Sequence, residues 1–239
     1  MSRAGLQTTI VLCCGLPDGV SAATADAWLA WGLRAGVPIT WIAPLERLRM
    51  VASAAAAAGV EASLALDVST IESRSRLRAA VGEAVATAPG LEAAAVRGSL
   101  ASEHRRVLAE AGMRVILRDS FDSTGPGPRR PAPRGWPCRS VLWGLWETTP
   151  SPATPPSSMG RLLRWTTSGV IPAGGLAVPE LNRGTAADGG QLRARVEQWQ
   201  GWARQRGPET VSFARLADLP ALVAGAGRIA DGGSVLQAA

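Results

Sequence analysis

Apolar positions along this chain follow two alternating rhythms. Short runs dense in apolar residues fall at Thr8–Cys14, Ile39–Ala43, Ala62–Leu66, Ala93–Val96, Arg114–Leu117, Ser140–Leu145, Leu176–Val178 and Thr210–Phe213, and each has the length of a buried strand. Between them, Ala22–Ala35, Leu45–Ala58, Arg74–Thr87, Ser102–Ala111, Met159–Thr167, Gln191–Arg206 and Arg215–Ala224 have helical length and helix-favouring composition. Gly36, Gly59, Gly112 and Gly207 each stand just past one of these helices, where a left-handed residue ends the helix, and Ser102 can cap its own. Strand and helix in regular alternation are the pattern of parallel βα units. The pattern predicts an α/β protein, a single (β/α) barrel of seven to eight parallel strands over residues 1–224, with a loose Gly- and Ala-rich tail over 225–239.

One interval breaks the rhythm. Residues 122–158 hold nine of the seventeen prolines around the apolar core Ser140–Leu145. They read as two Pro-rich excursions, Gly125–Pro137 and Thr148–Ser158, flanking one strand and lying over a mouth of the barrel, since irregular stretches of this length are usually functional or disordered. Nine tryptophans against two phenylalanines and no tyrosine is an unusual aromatic balance. Trp28, Trp31, Trp199 and Trp202 have helical spacing and read as packing residues. Trp136, Trp143 and Trp146 cluster at the insertion, where an indole can stack on a sugar ring or a partner's proline, or plug the mouth.

Charge narrows the choice of partner. The net +6 comes from arginine alone, scattered along the chain with no interleaved basic and aromatic stripe, so nucleic-acid binding is not expected. Cys13, Cys14 and Cys138 form no disulfide framework and fit a reducing compartment. Thr9–Cys14 is too short for a secretory core, and no stretch has the length of a membrane span, so a cytoplasmic protein without membrane contact is expected. No G-x-S-x-G elbow, P-loop or H-E-x-x-H is present.

Val11-Leu12-Cys13-Cys14-Gly15, then Thr24, Leu29, Leu33 and Gly36-Val37-Pro38-Ile39-Thr40-Trp41-Ile42, resembles the opening of the polysaccharide deacetylase (NodB homology) family, a strand ending T-F-D-D-G, a helix, and G-V-P-A-T-F-F. Both aspartates are replaced, by Cys13 and Cys14. Gly59-Val60-Glu61 is similar to the family's G-H-E lead into H-x-x-x-H, which places the two histidines at Ala65 and Ser69. Val96-Arg97-Gly98-Ser99-Leu100 resembles F-R-P-P-x-G with only Arg97 kept, and His104–Leu117 is similar to the helix and strand that follow. Gly175–Glu180 stands in place of the L-H-D motif, with Pro179 near the histidine position. Trp199–Arg206 and Thr210–Leu216 resemble the closing helix and strand. The resemblance spans nearly the whole chain and implies the deacetylase-like barrel with its metal-binding motifs altered throughout.

Metal-assisted amide hydrolysis needs about three protein ligands around an open position. The single histidine, His104, sits in a helix and reads as a surface or capping residue. Cys13 and Cys14 are adjacent on a strand, so their side chains point to opposite faces and read as small buried hydrophobes. No metal and no cofactor is therefore expected. In a barrel, Asp18, Asp67, Arg97, Asp119 and Glu180 fall at strand ends facing one mouth. Asp67, Arg97 and Asp119 are the catalytic candidates, either as a carboxylate pair for acid/base chemistry or as helix caps and ion pairs, and Arg97 can hold a carboxylate or phosphate. Arg97, Trp136, Trp143 and Trp146 are the ligand-binding candidates. The function expected is non-catalytic binding of a carbohydrate or protein partner. The alternative is a hydrolase acting on N-acetyl or glycosidic bonds through a non-standard site.

Overall fold

The first apolar run breaks once, at Val11, into β1 (Thr8–Ile10) and β2 (Leu12–Gly15), and strand order grows outward from it. The computed structural model describes residues 7–17, 19–58, 61–71, 73–118, 137–140, 142–156, 171, 174–182, 189–225 and 236–237. Next come α1 (Ala22–Arg34), β3 (Ile39–Ala43), α2 (Leu45–Ala58), β4 (Glu61–Asp67), α3 (Arg74–Thr87), β5 (Ala93–Arg97), α4 (Ser102–Glu110) and β6 (Val115–Arg118). The chain continues through β7 (Cys138–Ser140), β8 (Trp146–Thr148), β9 (Leu176–Ala177), β10 (Glu180–Leu181), α5 (Gly189–Arg206), β11 (Val211–Phe213), a 3-10 turn at Leu216–Asp218, α6 (Leu219–Gly225) and β12 (Leu236–Gln237).

Helix ends follow local chemistry. Ser21 and Ser73 cap α1 and α3, their hydroxyls accepting from Thr24 N at 3.1 Å and Arg76 N at 3.3 Å. At α4 the cap position is Ala101, not Ser102, and the first turn is served instead by His104, whose Nδ1 accepts from Ala101 N at 3.3 Å. Gly36, Gly112 and Gly207 have φ of 71°, 87° and 86°, the left-handed stop expected of them. Gly59 and Met159–Thr167 lie outside the described residues.

The strands run β10-β2-β3-β4-β5-β6-β8-β7-β12, parallel from β10 to β8. Among the described residues the curled sheet closes through one parallel bridge between Ser151, just beyond β8, and Pro179, between β9 and β10. Ser151 N donates to Val178 O at 2.8 Å, and Val178 N returns a bond to the Ser151 hydroxyl at 3.0 Å. Thr148–Pro156 is therefore barrel wall, where a flap over the mouth was expected, and Ala153 O accepts from Trp199 Nε1 of α5 at 3.0 Å.

Three expectations are corrected here. Ser140–Leu145 is a tight reversal between antiparallel β7 and β8, with Ser140 N bonded to Leu145 O at 2.7 Å and Gly144 at φ 69°. Its Leu142 is 65% exposed, so the apolar run does not mark a core strand, and the ring strand is β8. The eighth run, at β11, does not form a separate stave. It pairs with β1 on the side where β3 pairs with β2, leaving β2, β3, β4, β5, β6, β8 and the β9–β10 run as the ring. Leu236–Gln237, expected within a loose tail, pair with β7 as β12.

Alternation divides the core. Val11, Cys13, Ile42, Ala93, Val115, Leu117, Leu176 and Val178 pack inside the ring, while Leu12, Cys14, Trp41, Leu64, Val96 and Ile116 face the helices. The fit of α1 on the outside depends on Gly32, where a Cβ would lie 2.6 Å from Trp41 Cζ2. The floor is closed by Leu216 and Leu219, which join the inner cluster, and is latched by Glu61. The Glu61 carboxylate accepts from Thr40 Oγ1 at 2.5 Å, Leu216 N at 2.7 Å and Ala217 N at 2.8 Å. Burial outweighs these donors and, with Asp218 nearby, pushes the carboxyl up to about 7. No described helix is long and apolar enough to cross a membrane.

Gly32→Ala should cost about 1–3 kcal/mol in denaturant unfolding, because a buried indole must shift to admit the methyl. The raised Glu61 means that the folded chain holds this proton more tightly than the unfolded one. Its contribution is full below pH 4.5 and is lost as pH rises through 7, about 3 kcal/mol in all. Stability curves of wild type and Glu61→Gln should therefore diverge in slope between pH 4.5 and 7, the variant being flatter, and parallel curves would refute the assignment.

Candidate functional site

Parallel strands bring their C-terminal ends to one mouth, and small inward side chains there, Gly15, Ala65 and Ala95, leave a cavity of about 650 Å³. Leu16, Ile42, Ile71 and Leu117 supply apolar wall. Glu46, Asp67, Thr70, Arg97, Arg118, Glu180 and Asn182 supply the polar lining.

Asp67 ends β4 and Arg97 ends β5, and the two are partners in the strand register. They do not form an ion pair. Asp67 Oδ1 accepts instead from Ser69 N at 3.0 Å and Ser69 Oγ at 2.5 Å, so one carboxylate oxygen is committed to the turn that leaves the strand. Among the described residues the Arg97 guanidinium has no hydrogen-bond or ion-pair partner, and its side chain is exposed at the rim. Arg118 is drawn outward to Glu147 Oε2 at 3.1 Å, beside the Arg105–Glu147 pair at 2.6 Å that ties α4 to β8. Glu180 lines the cavity on the opposite side of β2. Asp18, Asp119 and Trp136 lie outside the described residues.

The other tryptophan candidates stand away from this cavity. Trp146 pairs with Val115 at the start of β6, the far end of that strand from Leu117 and Arg118, and carries Arg139 at 6.0 Å from its ring centroid. Trp143 packs on the outer core and donates to Ser102 Oγ at 3.3 Å.

Ligands that the fold would use for a metal do not converge. Cys13 faces the ring interior and Cys14 the helix layer, as strand alternation requires. Burial raises both thiols well above their usual range, with Glu61, Cys14 and Glu180 adding to the effect at Cys13, so neither supplies a thiolate. Ala65 presents a methyl group, Ser69 is bonded to Asp67, and Pro179 gives its carbonyl to Cys13 N at 3.1 Å. Among the described residues no three His, Cys, Asp or Glu side chains group as metal ligands. The donor set does not fit a divalent cation.

Asn182, at the end of β10, was not singled out by the sequence. It is the one non-glycine residue with positive φ, 64°, among the described residues, and it is only 2% exposed. Its Nδ2 donates to Gly15 O at 3.1 Å, while its Oδ1 has no partner among the described residues. An asparagine directly after a buried strand was the available signal, since Asn tolerates the left-handed region. A second cavity, of about 660 Å³, opens at the barrel floor, but its charges are already satisfied. Arg114 pairs with Glu92 at 3.3 Å, Arg215 pairs with Asp218 at 2.9 Å, and Glu61 is latched as described.

No family model and no curated protein matches this chain. Among solved structures it is similar to a proposed polysaccharide deacetylase from Mycobacterium smegmatis, with TM-score 0.53 and 13% identity over 95% of this chain and 93% of that one. A family 4 carbohydrate esterase from Streptomyces lividans, in complex with acetate, gives TM-score 0.42 and 13% identity over 88% and 92%. A CE4 family pseudoenzyme from Bacillus anthracis gives 0.43 and 13% over 89% and 65%. The first of these likenesses establishes the architecture: the chain has the (β/α)-barrel fold of a polysaccharide deacetylase.

Proposed function

We propose that this protein is a non-catalytic barrel of the deacetylase type that binds a carbohydrate in its mouth. The observation that carries the reading is the composition of the strand ends. Where metal-dependent hydrolysis needs converging ligands, the chain presents Ala65, a Ser69 committed to Asp67, and cysteines divided between two faces. What remains is a concave cavity with apolar walls and scattered donors and acceptors. That mixture suits the alternating apolar faces and hydroxyls of a sugar better than the flat surface of a protein. Arg97 is the anchor of this reading, because its guanidinium stands at the rim free of other described groups.

Elemental analysis of the purified protein, alongside acetate release from N-acetylated sugars and titration with cello- and chito-oligosaccharides, tests this directly. Saturable sugar binding without acetate release is expected, and stoichiometric metal with turnover would replace the reading with that of an active hydrolase. Arg97→Ala should weaken sugar binding about tenfold, the loss of one charge-assisted hydrogen bond, while leaving the melting temperature within a degree or so. With Cys138 replaced by serine, the native protein should take up a thiol reagent at Cys13 and Cys14 only on unfolding.

A further inference from the structure

At the floor, the turn Arg215–Asp218 and the start of α6 meet the barrel in two ways. Leu216 and Leu219 sit in the inner cluster with Val11, Cys13 and Val178, and the amides of Leu216 and Ala217 donate to the Glu61 carboxylate. Among the described residues the turn makes one other hydrogen bond to the barrel, from Leu216 N to Thr40 Oγ1 at 3.0 Å. Its remaining bonds are internal, from Arg215 to the Asp218 carboxylate and from Asp218 N to Arg215 O. One carboxyl group, with the threonine beside it, therefore holds the backbone of the plug.

That carboxyl group is poorly placed to carry charge. It lines the floor cavity with two arginines, but Arg215 gives Asp218 two bonds, at 3.0 and 2.9 Å, and Arg114 pairs with Glu92 at 3.3 Å. Asp218 opposes ionisation from the turn, the Cys13 thiol lies within electrostatic reach on β2, and the floor ends of α2 and α6, Val51–Ala58 and Leu219–Gly225, hold no titratable group. The neutral acid fits the latch better. Thr40 Oγ1 lies 2.5 Å from Oε2 and can accept as well as donate. A proton on Oε2 thus has a partner, Oε1 still receives Ala217 N, and Leu216 N has Thr40 Oγ1.

We infer that Arg215–Gly225 is a plug that lifts from the floor without the barrel unfolding, held while Glu61 is neutral and released when it is charged. Lifting admits water to the carboxylate and exposes little else, which separates this step from global unfolding. Closed, the acid titrates at about 7, and open at the ordinary 4.5. The closed form is therefore fully favoured below pH 4.5 and loses ground as pH rises through 7, so that between pH 5 and 8 the open fraction grows about 70-fold.

Native-state hydrogen exchange of the full chain, resolved by residue with NMR at low denaturant concentrations, tests the inference. Corrected for intrinsic exchange, the Leu216 and Ala217 amides should be less protected than those of β5 and should lose about 70-fold in protection between pH 5 and 8. They should do so with almost no dependence on denaturant, the mark of a local opening. Glu61→Gln, whose side chain can donate to Thr40 Oγ1 and accept from Ala217 N as the neutral acid does, should hold both amides at their pH 5 protection throughout. Asp218→Asn, which releases Arg215 toward Glu61, should cut the pH response severalfold, and it decides the matter where the first variant does not fold. Equal protection and equal denaturant slope at the floor and at β5 overturn the inference, because the floor then opens only with the whole barrel. So does a pH response left unchanged in either variant.

Discussion

A parallel sheet that curls must either close or leave a row of backbone donors and acceptors unpaired, and in this protein closure rests on one seam. Ser151 and Val178 make it with two hydrogen bonds, one of them through the serine hydroxyl. Everything used above depends on that seam. It turns the strand ends into a rim, brings Glu180 and Asn182 opposite Asp67 and Arg97, and seals the inner cluster from water.

Inside the ring the side chains are modest in size, and this decides where space is left. Cys13, Ala93 and Ala95 fill the middle with little bulk, while Leu216 and Leu219 rise from below to occupy the floor. The cavity is consequently open at one end and shut at the other. The same burial that makes Cys13 a good filler holds its thiol protonated, so packing and the absence of thiolate chemistry have one cause.

Much of this architecture was legible in the sequence, and the parts that were not share a physical reason. Periodicity gave α3 its bounds, Arg74–Thr87, and Gly36, Gly112 and Gly207 marked helix ends because their left-handed geometry is a local demand. Adjacency alone told that Cys13 and Cys14 would part to two layers. The misread segments were those settled by long-range pairing. Val141-Leu142-Trp143 looks like a strand until Gly144 turns the chain, and the run at β11 looks like a stave until its partner is seen to be only the lower half of the first strand. At the site, Asp67 and Arg97 could be placed at neighbouring strand ends by counting, but the commitment of Asp67 Oδ1 to Ser69 could not, because it depends on how the turn leaves the strand. Asn182 escaped notice because its interest lies in a missing partner, which no residue type advertises.

The latch at the floor has a bearing on how the molecule is made. Glu61 is held by amides at Leu216 and Ala217, a span of 155 residues between the bonded pair Glu61 and Leu216. While the chain is being synthesised, β4 emerges long before its latch exists, and its carboxylate remains in water with the interior of the nascent sheet uncapped. The seam at Ser151 and Val178 also waits on late-arriving chain. Such sequence-distant closures make for slow, all-at-once assembly. The segment from Val211 to Leu219 thus acts less as an appendage than as the event that shuts the barrel floor, with the acid there changing from solvated to buried at that moment.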